Sequence, residues 1–538
     1  STKVPEGSRA LAGIGCHYMV QWMDRNTETF TQMGGEGVPW TAVSRYTDES
    51  HVFVNLGDGT YFHSGILAIR QAVSAGANMT YKLLYNDAVA MTGGQPIDGT
   101  LSPQQLTHQL HNEGVGPIVL MSDNVDAYSA PDLAPGTDIR HRDEIDTVMK
   151  ELRERPGVSA IVYVQTCAAE KRRRRKRGLM EDPDMRVLIN PAVCEGCGDC
   201  SVQSNCIAID PLETEMGRKR QINQSACNKD YSCLKGFCPS FVTIRGGTVK
   251  KGGRTAAPDV GDLPAPTLPE MAPSWNIAVT GVGGTGVLTI GGVIAMAARL
   301  EGVAPLVLDM AGLAQKGGAV MSHIRLSAQD NPRKSPRIAP GGAHLLIAAD
   351  TVVAASRDGT VRCDPERTHA VVNARLTPVA EFVRQRDFDF QKGTVEDTVR
   401  SVVRPDAHFH DFGRAAMAVA GDEIATNIMM VGFAWQKGLV PLSAEAIEKA
   451  IEINGVAVKA NIDAFRWGRI MAHDPARIEA LETDRNGFRP MAEMGTDDLI
   501  AHRAGHLTAY QNAKLAERYK ALVERVRAVA AERLSGTA

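Results

Sequence analysis

Seven of the ten cysteines in this 538-residue chain fall within 45 positions, at 194, 197, 200, 206, 227, 233 and 238. Cys194, Cys197 and Cys200 repeat at the two-residue gap that lets successive thiolates reach corners of one cubane 4Fe–4S cluster. In runs of this kind the cysteine before a proline ligates with the distant triplet, so Cys238, followed by Pro239, completes that set. Cys206, Cys227 and Cys233 leave three thiolates for a second cluster, which takes a non-cysteine ligand or exchanges roles with Cys238. Cys206 lacks a following proline, and the second half reads Cys-x5-Cys-x4-Cys-Pro instead of a tight triplet. Zinc is the rival metal, but it favours paired C-x2-C knuckles and only one such run is present.

A second stretch suits hard-cation chemistry. Gly57-Asp58-Gly59-Thr60 follows the strand-like run Val52–Leu56 and precedes a helical run from about Gly65 to Ala75. Glycines there let main-chain N–H groups approach a diphosphate, while Asp58 offers an oxygen to Mg2+. Asn86, 28 positions on and at the end of the next strand, adds a side-chain carbonyl, and a main-chain carbonyl nearby completes the protein share of the shell. The plain alternative is a strand-end turn rich in Gly and Asp. A third stretch, Gly281-Val-Gly283-Gly284-Thr-Gly286, lies between the strand Trp275–Thr280 and the helix Val287–Leu300. It has the dinucleotide-turn pattern, with Asp309 as acidic partner, although tight packing alone also requires small residues there.

These residues need strand ends to hold them. Apolar runs at 52–56, 79–85, 117–121 and 160–164 alternate with helical ones, predicting a parallel sheet with its site at the carboxyl ends. Residues 415–470 turn helical, with 3.6-residue periodicity at 427–432 and 444–454, and an amphipathic helix covers 510–534. The basic run 171–177 reads as a solvated linker or a docking patch for an acidic carrier, and 248–273 reads as a linker. A formal charge of -3 with 22% charged residues excludes a general nucleic-acid role. No apolar run is long enough to span a bilayer, so no membrane association is expected, and the opening residues carry no secretory or transit pattern, so the cytoplasm is the expected compartment. Cys167 and Cys363 read as small buried hydrophobes.

Gly57-Asp58-Gly59 with Asn86 is similar to the thiamine diphosphate motif. Gly13-Ile-Gly15-Cys16 and Thr92-Gly-Gly-Gln95 resemble the flanking segments of the 2-oxoacid:ferredoxin oxidoreductases, and Gly57–Gly65 most resembles the long fused indolepyruvate type. Leu308–Gly318 resembles the gamma domain of the same enzymes.

The resemblance implies an α/β multidomain chain. A thiamine diphosphate-binding parallel-sheet domain would span 1–180, a ferredoxin-like iron–sulfur segment 186–247, a linker 248–273, a Rossmann-like gamma domain 274–475, and a helical C-terminal region 476–538. Asp58, Asn86 and the main chain at Ala88 would hold Mg2+. Gly13, Gly15, Cys16, Gly57, Gly59 and Thr92 would line the cofactor, and His63 would face the substrate, whereas Glu36 receives no catalytic role. The implied reaction is oxidative decarboxylation of a 2-oxoacid, an arylpyruvate such as indolepyruvate preferred, with coenzyme A as co-substrate and ferredoxin as acceptor. The family's pyrimidine-binding domain, with its activating glutamate, does not precede residue 13. The chain is therefore expected to be the carboxyl-terminal part of something longer, or to work with a partner chain, as a homo-oligomer. Two other functions stay open: an electron-transfer module inactive alone, and a thiamine-dependent decarboxylase without redox function.

Overall fold

Short β-branched runs spaced by helices build a parallel sheet over residues 10–164 of the computed structural model. Its strands are β1 (Ala10–Ala12), β2 (Thr27–Phe30), β3 (Val52–Gly57), β4 (Met79–Tyr85), β5 (Ile118–Ser122), β6 (Asp138–His141) and β7 (Val158–Val164). They stand in the order β2-β1-β3-β4-β7-β5-β6, all pairings parallel. The structure describes residues 2–90, 94–97, 99, 101–206, 208–214, 216–247, 260–261, 263–271, 273–311, 318–328, 335–375, 389, 391–486 and 494–533.

Period-two alternation sends Val52, Val54 and Leu56 into one core and Phe53 into another. Ile69 and Ala72 of the helix Ile66–Ser74, with Leu106 and Leu110 of the helix Pro103–Asn112, fill the first; Val148, Met149 and Leu152 of the helix Ile145–Arg153 fill the second. Helices on both faces explain why the central strands β3, β4 and β7 are buried along most of their length. A capping box, Ser102 with Gln105, fixes the start of the Pro103–Asn112 helix. The order also sets β1, β3 and β4 side by side, so their carboxyl ends share one edge.

The basic run departs from the linker expectation. Ala168–Lys176 is a helix whose cations are engaged: Lys171 with Asp123, Arg173 with Glu170, Arg174 with Asp87, and Lys176 with Asp422. Arg172 and Arg175 donate to the carbonyls of Ala226 and Asn228. Anionic side chains and carbonyls on four other segments, with Glu170 of the helix itself, offset a charge run that would otherwise repel itself.

Residues 185–245 form two antiparallel pairs, β8 (Met185–Ile189) with β11 (Phe241–Arg245), and β9 (Ile209–Thr214) with β10 (Gly217–Ile222). Residues 248–259 of the expected linker lie outside the described residues, but its later part packs down: Gln436 Nε2 donates to the Pro264 carbonyl at 2.6 Å, and Leu263 and Met271 meet the following core.

That core surrounds a mixed sheet of β12 (Trp275–Val282), β13 (Ala304–Ala311), β14 (Ala319–Ser327), β15 (Leu345–Ala348), β16 (His369–Asn373) and β17 (His408–His410), ordered β13-β14-β12-β15-β16-β17. β14 runs antiparallel between β12 and β13, while β12, β15, β16 and β17 are parallel. The helices Thr426–Gln436 and Val458–His473 cross closely because Gly432 faces the Phe465 carbonyl and Gly468 faces the Met429 carbonyl. Met429 and Met430 are fully buried core residues. The helices Thr496–Tyr510 and Ala513–Arg533 pack as a hairpin, and among the described residues no helix is long and apolar enough to cross a membrane.

A methyl group at either glycine collides with main chain, which cannot swing away. Gly432→Ala is expected to destabilise this unit by about 1–3 kcal/mol, read as an earlier thermal transition, whereas Gly292→Ala, with open space at its Cβ, should leave it unmoved.

Candidate functional site

The three strand ends converge on glycines. Gly13 follows β1, and a Cβ there would lie 2.6 Å from Glu36 Cγ, 2.8 Å from the Asn55 carbonyl and 2.8 Å from His17 Nε2. Gly15 and Gly57 also border the His17 ring. Only glycine fits this close contact. The groups around it are polar and buried: His17 Nε2, Glu36 Oε1 and Asn55 Oδ1 have no hydrogen-bond partner among the described residues. Orphaned buried polar atoms beside glycine main chain fit a polar ligand.

Asp58, at the carboxyl end of β3, is buried, with its carboxylate held by main chain. Oδ1 accepts from Gly59 N–H at 3.0 Å, and Oδ2 accepts from Asn86 and Asp87 N–H, each at 2.8 Å. Burial raises its pKa, and the three N–H bonds oppose that rise. Asn86, on the turn after β4, turns Oδ1 back to Ala88 N–H at 3.1 Å. The Asn86 main chain therefore meets Asp58 while its side-chain oxygen turns to Ala88, and a carboxylate with an amide oxygen nearby is a donor set that suits a hard divalent cation.

Electrostatics around Gly13 favour neutral side chains. Burial, assisted by Lys82, lowers the His17 pKa to about 4, and burial raises that of Glu36. Lys82, buried on β4, is lowered to about 8 by desolvation. Gly34 N–H donates to Glu36 Oε2 at 2.7 Å, and Tyr81 donates to the Glu36 carbonyl. Sequence reasoning passed over His17 and gave Glu36 no catalytic role. Their signal was proximity to glycine loops, Gly13–Gly15 and Gly34–Gly37, where a charged side chain has no steric reason to be.

His63 lies on the wide turn Tyr61–Gly65, exposed, with Nδ1 2.7 Å from Ser64 Oγ, and Ser64 borders the Gly34 loop. Cys16, next to Gly15, is half-buried. Thr92 lies outside the described residues, as do 312–317 of the second family-like segment.

The clustered cysteines separate into two groups. Cys194, Cys197 and Cys200 surround the buried Arg220 of β10, whose pKa burial lowers and whose charge the three sulfurs favour. Gly196 N–H points at Cys194 Sγ at 3.4 Å. Cys206, Cys227 and Cys233 line a second cavity with Asp230, Tyr231 and the apolar Val187, Ile209 and Ile222. Burial pushes Cys206 up to about 11 and Cys233 up to about 12, so iron would have to displace their protons. Cys238 Sγ lies 2.9 Å from Ser240 Oγ. Among the described residues no group of three His, Cys, Asp or Glu side chains is arranged around one ion. Cubane ligands occupy separate corners and do not converge on a point.

At the glycine turn of the third unit, Gly286 (φ 81°) starts the helix Val287–Leu300 and faces Asn427 Nδ2. Asp309 sits on β13, two strands from β12. Helix-to-helix packing thus accounts for Gly286.

Residues 276–470 match the family "Pyruvate ferredoxin/flavodoxin oxidoreductase", and residues 13–163 match "Thiamine pyrophosphate enzyme, C-terminal TPP binding domain". Residues 496–537 match a family of unknown function. An indolepyruvate oxidoreductase subunit IorB from Archaeoglobus fulgidus is 29% identical over 36% of this chain and 92% of its own length. Subunit IorA from Thermococcus kodakarensis is 29% identical over 43% of this chain and 36% of its own length. A keto/oxoacid ferredoxin oxidoreductase gamma subunit from Geobacter sulfurreducens aligns at 21% identity over 37% of this chain and 98% of that chain, with a TM-score of 0.27.

Because burial lowers His17 from 6.5 to about 4, the unfolded chain takes up a proton in that window which the folded chain refuses. Stability is therefore lost as pH falls from 6.5 towards 4. His17→Gln should flatten that acid limb by up to about 3 kcal/mol, measured by urea unfolding at pH values on either side of the window.

Proposed function

We propose that the chain is a member of the 2-oxoacid:ferredoxin oxidoreductase superfamily, which its two family matches and its indolepyruvate oxidoreductase relatives support, and that it carries the diphosphate-binding and electron-transfer parts of an enzyme that oxidatively decarboxylates a 2-oxoacid. Indolepyruvate or another arylpyruvate is the proposed substrate, in line with the names of its relatives. Coenzyme A would accept the acyl group and a ferredoxin the electrons. The observation that carries this reading is the buried Asp58 tied to the Asn86 turn beside the glycines at the ends of β1 and β3.

Bound thiamine diphosphate supplies carbanion chemistry at the 2-oxo carbon, and a cluster accepts electrons singly. The protein's share is positioning. Gly57 and Gly59, without side chains, would let the diphosphate approach the main chain while the Gly59 N–H stays on Asp58, with Asp58, Asn86 and the Ala88 main chain holding Mg2+. Gly13 and Gly15 would bring bare main chain to the cofactor beside His17 and Glu36. His17, kept neutral by burial, would accept or donate a hydrogen bond without adding charge. His63, exposed on the neighbouring turn, would face the substrate. The pyrimidine-side domain and its glutamate would come from another segment or a partner chain. Cys194, Cys197, Cys200 and Cys238 would hold one 4Fe–4S cluster and Cys206, Cys227 and Cys233 part of a second.

Asp58→Ala is expected to weaken Mg2+-dependent thiamine diphosphate binding by at least about 10–100-fold, measured by titration calorimetry. Equal affinity in the variant would remove the proposed site. Cys197→Ala should lower the acid-labile sulfide content while thiamine diphosphate binding stays unchanged.

A further inference from the structure

Two stretches of the iron–sulfur region repeat one design. After β8, Asn190 accepts the N–H of Cys194 on its carbonyl and that of Ala192 on its side chain; after β10, Asn223 accepts those of Cys227 and Ser225 in the same way. In both stretches the first cysteine is followed at three-residue steps by two more positions. The first stretch reads Cys194, Cys197, Cys200, and the second reads Cys227, Asp230, Cys233. Asp230 thus stands where the first stretch has Cys197.

The backbone repeats as well. Cys197 lies between Gly196 (φ 71°) and Gly198 (φ 82°), and Asp230 lies between Lys229 (φ 55°) and Tyr231 (φ 58°). Left-handed backbone on both sides sets the central residue at the tip of the same kind of turn, with Cys197 exposed and Asp230 half-buried. Glycine adopts it freely, whereas Lys and Tyr do so at a cost that the surroundings must offset. Lys229 ion-pairs with Asp182 and Tyr231 donates to the Met185 carbonyl at 2.9 Å, which anchors both flanks.

Asp230 also faces the right neighbours. It lines the same cavity as Cys206, Cys227 and Cys233. Its Oδ1 accepts Ser232 N–H at 3.1 Å, and one further carboxylate oxygen suffices to close a ligand set.

We propose that Asp230 is the fourth protein ligand of a second 4Fe–4S cluster, with Cys206, Cys227 and Cys233. The proposal rests on the iron–sulfur reading given above and completes its ligand count. Cys206 crosses from the first stretch to the second set, as Cys238 crosses from the second stretch to the first. A carboxylate binds iron through a hard oxygen and leaves that corner the most easily exchanged.

The test uses the full chain, reconstituted anaerobically with iron and sulfide, and reads iron content and electron paramagnetic resonance. Wild type is expected to hold about eight irons and, on ferricyanide oxidation, to release one and display a 3Fe–4S signal. Asp230→Ala should show that signal before oxidation, with about one iron fewer. Asp230→Cys should hold the full iron complement, resist ferricyanide and give an altered spectrum on reduction. If both variants match wild type in iron content, spectrum and oxidation, Asp230 is not a ligand although the clusters stand. Wild type with about four irons overturns the second cluster alone, and wild type without iron overturns the iron–sulfur reading itself.

Discussion

The carboxylate of Asp58 is buried at the edge of a parallel sheet, and what holds it is main chain from two turns. Gly59, Asn86 and Asp87 each donate an N–H, so the loop after β3 and the loop after β4 are fixed to one another. A buried carboxylate is costly unless its lone pairs are satisfied, and here satisfying them also sets the geometry of the site. Gly13 and Gly15 hold the adjoining strand end, and the strand order β1-β3-β4 makes the three loops neighbours.

From that site a physical connection runs to the cysteines. Asp87, whose N–H binds Asp58, also pairs with Arg174 of the helix Ala168–Lys176. One position on, Arg175 donates to the Asn228 carbonyl, next to Cys227. A helix with four basic residues in its last turn places them near its negative end, where cations are favoured. The same helix therefore braces the Asp58 turn and the second cysteine stretch. The two cysteine sets also differ in their charged neighbours, Arg220 beside the first and Asp230 beside the second, and such charges are among the levers that set cluster potentials.

Much of this was legible in the sequence. The apolar runs at 52–56, 79–85 and 160–164 and the apolar stretch 287–300 fall within the observed β3, β4, β7 and the helix Val287–Leu300, and the 3.6-residue period at 444–454 marks the helix Ala444–Asn454, because the buried cores require apolar residues there. Gly57, Asp58 and Asn86 stood out in the sequence as a strand-end pattern, and the fold sets the Asn86 turn against the Asp58 carboxylate. The basic run at 171–177 misleads, because composition cannot reveal that carbonyls and carboxylates from distant segments wait to neutralise it; Lys171 to Lys176 form helix here. His17 and Glu36 were hidden for a related reason. Both are buried against Gly13, a contact that is local for His17 but that for Glu36 depends on the fold bringing the Gly34–Gly37 loop to the end of β1. Asp230 was visible in the spacing, yet counting cysteines alone passes over a carboxylate at a cysteine position.

The central claim is that one chain joins a thiamine diphosphate site to iron–sulfur clusters. The most direct measurement is cofactor analysis of a single anaerobic preparation supplied with thiamine diphosphate, Mg2+, iron and sulfide. The account predicts about one thiamine diphosphate per chain together with iron and sulfide in multiples of about four. Iron without thiamine diphosphate, or thiamine diphosphate without iron, would contradict it.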